Sequence, residues 1–148
     1  MQITRRFAFL LVTALLPAFA GSAADPVNKN SSGVAIKGYD PVAYFTDGKA
    51  VKGSPQFTHQ WQGAVWQFAS AAHRDDFAAT PDKYAPQYGG YCAYGVSQNH
   101  TAPIDPEAWT IIDHKLYLNY SQGVKKTWSQ DIPKYLQEAE KNWPSLHK

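Results

Sequence analysis

The sequence predicts an α+β fold: a small single domain with two antiparallel β-hairpins and several short helices. Three observations predict it. Phe57, His59 and Trp61 alternate with polar residues, and Val65–Phe68 returns after Gln62-Gly63. Trp109–Ile112 and Leu116–Leu118 repeat that arrangement across Asp113-His114-Lys115. Ile132, Tyr135, Leu136, Ala139 and Trp143 fall at helical spacing near the C-terminus.

Each element follows from local chemistry. Residues 25–33 are polar and are expected to form a flexible leader. Gly38-Tyr39-Asp40-Pro41 is a turn signal, which accounts for Asp40 without a functional role. The first hairpin follows from period-two alternation around a two-residue turn. Ser70 can cap a helix over residues 71–79, with His73 and Phe77 on one face. Thr80-Pro81 starts a second short helix carrying Tyr84. Asp105-Pro106-Glu107 reads as a turn before the second hairpin. Ser121 can cap a helix containing Val124 and Trp128, and Asp131 opens the last helix.

Composition narrows the function classes. The chain has 148 residues, 14 Lys+Arg and 12 Asp+Glu, a net charge of +2. Arg5 and Arg6 account for that excess, so the remainder is neutral and no basic stripe suits nucleic acid. The single Cys excludes an intramolecular disulfide framework and any zinc module that needs several cysteines. Zincin, nucleophile-elbow and phosphate-loop motifs are absent from the sequence.

The first 24 residues have the layout of a secretory signal peptide. Met1–Arg6 is positive, Phe7–Leu16 is apolar, and Pro17 breaks the run. Ala18-Phe19-Ala20 and Ser22-Ala23-Ala24 both offer small residues for signal peptidase, so cleavage falls after Ala20 or after Ala24. The apolar run of ten is too short to span a bilayer. Thr4-Arg5-Arg6 leaves the general secretory and twin-arginine routes both open. The expectation is an exported, periplasmic protein whose mature form lies free of the membrane. Three regions result: residues 1–24 as signal peptide, 25–33 as leader, and 34–148 as the working domain.

The run Trp66-Gln67-Phe68-Ala69-Ser70-Ala71-Ala72-His73-Arg74-Asp75-Asp76-Phe77, followed by Pro81-Asp82-Lys83-Tyr84, resembles the YHS domain. Gly38–Phe45, Tyr88-Gly89-Gly90-Tyr91-Cys92-Ala93 and Asp105–Tyr120 resemble the exported bacterial branch of that family, which includes selenoproteins. The resemblance covers roughly residues 34 to 144. It implies metal binding, presumed for short YHS modules. It also implies chemistry at Cys92, whose position carries selenocysteine in some members. His73 stands at the ligand-type position, where the short modules often have Cys, and their paired N-terminal cysteines are missing here.

Cys92 is therefore the centre of three expectations. In the first it binds a transition metal, copper or zinc with copper foremost, with His73 or His100 as second ligand. In the second it is a redox nucleophile, cycling through sulfenic acid and reduced by an external thiol, since no resolving Cys exists. In the third it is an inert buried thiol within a structural or partner-binding domain, whose protein partner the sequence does not name. Gly89, Gly90 and Tyr91 are expected to shape the site, the glycines by letting amides approach the sulfur. His73 and His100 have plainer readings as a helix-surface and a solvated loop histidine. His59 is expected to be semi-buried on its strand.

Overall fold

The computed structural model describes residues 22–148, so the expected apolar core of the signal peptide lies outside the described residues. The architecture is α+β, as expected. The described residues form six α-helices, two short 3₁₀ segments and two separate two-stranded antiparallel sheets.

The first hairpin pairs β1 (Ser54–Trp61) with β2 (Ala64–Phe68). Gln62 and Gly63 both have positive φ, 48° and 73°, as a two-residue hairpin turn that matches strand twist requires. Alternation then sorts the faces of β2. Ala64, Trp66 and Phe68 are buried, whereas Val65 and Gln67 are only partly so. Phe77 of α2 (Ala71–Ala79) packs on that face, its ring centroid 5.2 Å from Trp66 and 5.1 Å from Phe68. Each such ring stabilises the fold by about 1.5–3 kcal/mol through burial. Ser70 Oγ accepts from His73 N–H at 3.1 Å and caps α2. Pro81 opens α3 (Pro81–Tyr84).

The second hairpin pairs β3 (Asp105–Ile112) with β4 (Lys115–Asn119). Its turn is Asp113-His114 alone, with φ of 50° and 62°; Lys115, expected in the turn, pairs with Ile112. Asp105-Pro106-Glu107 opens the strand rather than forming a separate turn, and a register shift lies between Asp105 and Trp109. β4 is buried on both sides and separates two apolar clusters. Leu116 and Leu118 join Trp66, Phe68 and Phe77 in one cluster, and Tyr117 joins Trp128 and Ala139 in the other. Trp128 comes from α5 (Gln122–Ser129), capped by Ser121. Ala139 comes from α6 (Ile132–Leu146), capped by Asp131. Two more helices, α1 (Ala43–Thr46) and α4 (Ala93–Ser97), are single turns that place the candidate residues.

Of residues 25–33, expected to be a flexible leader, Val27 and Asn28 are docked on the body of the fold, while residues 29–32 are exposed. Val27 is 1% exposed. Asn28 N–H donates to Gly89 O at 2.8 Å, and Asn28 O accepts from Ile36 N–H at 2.9 Å. The polar composition suggested a solvated segment, but Asn28 spends its polar groups on backbone partners; its Nδ2 donates to Gly90 O at 3.0 Å. The domain thus takes in residues that the sequence placed outside it.

Candidate functional site

Cys92 sits at the N-cap of α4, in the place Ser or Asp usually occupies. Its sulfur accepts from Gly95 N–H at 3.4 Å and from Tyr120 N–H at 3.3 Å. The thiol proton points to Asn119 Oδ1 at 3.5 Å, an oxygen that also accepts from Tyr94 N–H at 3.0 Å. Cys92 is 1% exposed. Burial pushes the thiol pKa up, and the amides of Gly95, Tyr120 and Tyr94 only partly offset that. Asn119 is itself fully buried, and its Nδ2 has no partner among the described residues.

The amides that meet the sulfur are those of Gly95 and Tyr120, not those of Gly89 and Gly90. These two glycines shape something else. Gly89, at φ 62°, lies so close to Pro26 O that a Cβ would clash with it, and a Cβ on Gly90 would press on Ile36. They admit the N-terminal segment against the body of the fold. Tyr91 turns from the sulfur to the second cluster, its ring centroid 6.0 Å from Trp143, and its hydroxyl reaches Val27 O.

The histidines are elsewhere too. No imidazole is among the hydrogen-bond partners of Cys92. His100 is exposed, its Nδ1 3.3 Å from Thr101 O, and it packs its Cε1 over Gly95. Among the described residues no group of three or more His, Cys, Asp or Glu is arranged to hold a metal ion. His59 is half-buried, edge-on to Phe77. His147 stacks on Trp143 at 4.1 Å.

His73 carries the most developed polar geometry. Its Nδ1 lies 2.6 Å from Asp40 Oδ2, and its side chain is 17% exposed while Asp40 is fully buried. Asp40 Oδ1 accepts from Val42 and Ala43 N–H at 2.8 and 3.2 Å, and Oδ2 also accepts from Ala69 N–H at 2.9 Å. A carboxylate this close requires a proton on Nδ1, so the neutral ring keeps its lone pair on Nε2. Nε2 lies 3.3 Å from Thr46 Oγ1, at the exposed end of α1. The turn reading of Asp40 explains its bonds to residues 42 and 43; it missed those to 69 and 73. The sequence shows no signal for the pair, since the partners are 33 positions apart.

Two clefts open on the surface. One, of about 280 Å³, lies at the seam of the two clusters among Trp61, Trp66, Tyr88 and Trp143. The other, wider at about 590 Å³, runs past Ala24, Tyr91 and His100. Neither of these two clefts is lined by Cys92 or His73. No helix among the described residues is long and apolar enough to cross a membrane. Comparisons of the chain with protein-family models, with curated proteins and with solved structures returned no match.

Proposed function

We propose that the chain is an exported, YHS-like domain that binds a transition-metal ion, copper foremost, through His73, with Cys92 serving the fold as a protonated thiol. The observation that carries this reading is the Asp40–His73 pair. Metal-ligating histidines commonly donate their other ring N–H to a carboxylate, which fixes the tautomer and raises ligand basicity. Here a buried carboxylate, pinned by three backbone amides, holds the ring with the Nε2 lone pair turned toward Thr46 Oγ1, where an ion would sit. The resemblance to YHS domains puts a ligand-type residue at this same position.

The donor set near Nε2 is short. Thr46 Oγ1 stands at 3.3 Å, and Asp47 Oδ1 lies 3.0 Å from that hydroxyl. An ion held there keeps open positions for water or for a ligand from a protein partner, which suits a carrier better than a closed structural cage. A Cys92-centred cage fits the residues less well, because the sulfur is surrounded by amide donors and an amide carbonyl. The thiol-redox reading needs an accessible thiolate, and burial works against it.

The second reading, a partner-binding domain with inert Cys92, is favoured by the three hydrogen bonds that fully engage the sulfur. Calorimetric titration of Cu(II) and Zn(II) into metal-stripped protein separates the two. Wild type should bind one ion, Cys92→Ser should bind alike, and His73→Ala should lose about tenfold or more in affinity. Loss in Cys92→Ser with retention in His73→Ala would return the site to the sulfur. No binding by wild type would leave the partner-binding reading.

A further inference from the structure

Small residues flank both candidate cleavage points, after Ala20 and after Ala24, so the sequence leaves them level. The fold separates them. Ala24 N–H donates to Leu146 O at 2.9 Å, and Ala24 O accepts from Lys148 N–H at 3.0 Å. These bonds form a parallel bridge between Ala24 and His147. Asp25 follows, its carboxylate 3.6 Å from Lys148 Nζ, and then Val27 enters the core. Among the described residues, the docked N-terminal segment therefore begins at Ala24.

A cut after Ala24 removes the residue that makes both backbone bonds to the C-terminal segment. It also creates a charged amine on Asp25, beside the carboxylate that Lys148 approaches. A cut after Ala20 keeps Ala24 and leaves three residues ahead of the bridge. We infer that processing falls after Ala20: water adds across the Ala20–Gly21 peptide bond, leaving a carboxyl group on Ala20 and an amine on Gly21. Ala24 then remains in the working protein as the first residue of a strap. The strap holds Leu146–Lys148 in place, and with them the His147 ring against Trp143. Signal peptidase meets the chain before it folds, so the fold does not guide the cut; what the fold shows is which residues the mature chain uses.

This inference rests on the export half of the proposed function. The test is expression of the full 148-residue chain in a Gram-negative host, with intact mass and N-terminal sequencing of the periplasmic protein. Gly21 as first residue is expected. Asp25 as first residue overturns the inference and leaves export standing. An uncleaved chain retained in the cytoplasm overturns export itself. Hydrogen exchange on purified chains 21–148 and 25–148 then tests the strap. The Lys148 amide should exchange at least about tenfold more slowly in the longer chain. Equal rates overturn the strap.

Discussion

Asp40 Oδ2 lies 2.6 Å from His73 Nδ1, joining the turn before α1 to the first turn of α2. The same carboxylate takes three backbone N–H groups from residues 42, 43 and 69. One buried side chain therefore closes the α1 turn and orients the imidazole. Removing it leaves four donors without their acceptor. Asp40→Ala should cost about 3 kcal/mol or more by urea denaturation, because several buried N–H groups lose a charged acceptor. A loss under 1 kcal/mol would show that solvent replaces the carboxylate. In the better-folded Asp40→Asn, metal affinity should fall about 10–100-fold if His73 is the ligand.

The thiol of Cys92 should be slow to react. Its sulfur is buried, hydrogen-bonded three ways, and held toward the protonated form. Ellman's reagent should modify native protein at least about a hundredfold more slowly than urea-unfolded protein, because reaction waits on local opening. A native rate equal to the unfolded one would put an accessible thiolate at Cys92 and revive the redox reading.

Alkaline pH should destabilise the fold in two steps. Burial raises the Cys92 thiol and, as first cause, the Tyr44, Tyr88, Tyr91 and Tyr117 hydroxyls. Groups whose folded pKa is raised stabilise fully below their unfolded pKa and lose that contribution as pH rises through the folded one. The onset should lie near pH 8.5 for the thiol, about the ordinary thiol value, and steepen above about pH 10 as tyrosines join. Each group lowers stability by up to about 1.4 kcal/mol per pH unit while only the folded form holds the proton. Urea titrations from pH 7 to 11 should show both steps, and Cys92→Ser should lack the first. A flat profile to pH 11 would contradict the burial of these groups.

Gly89→Ala should release the N-terminal segment. The residue has φ 62°, and a Cβ there would clash with Pro26 O, a backbone atom that moves only if the segment moves. The substitution should cost about 2 kcal/mol or more from strain and lost contacts. The Asn28 amide, bonded to Gly89 O in the wild type, should lose its hydrogen-exchange protection. Retained protection at Asn28 would mean that the segment docks independently of Gly89.

The local elements were legible because their causes are local. Gln62-Gly63 turns a hairpin wherever it is placed between alternating strands, and Ser70, Ser121 and Asp131 cap helices through N–H groups three residues away. The sequence therefore specified both hairpins, the caps and the face of α6 that packs inward. The surroundings of Cys92 depend on contacts that period and propensity do not encode. Gly95 is close in sequence, but Asn119 and Tyr120 reach the sulfur only because β4 runs behind α4. Asp40 and His73 meet because the first hairpin folds back between them. Ala24 read as the end of the signal peptide and residues 25–28 as the start of a polar leader, yet Ala24 and Asn28 are held by the backbone of residues 89, 90 and 146–148. Their order depends on long-range backbone partners, and loop closure over those separations is supplied only by the assembled core.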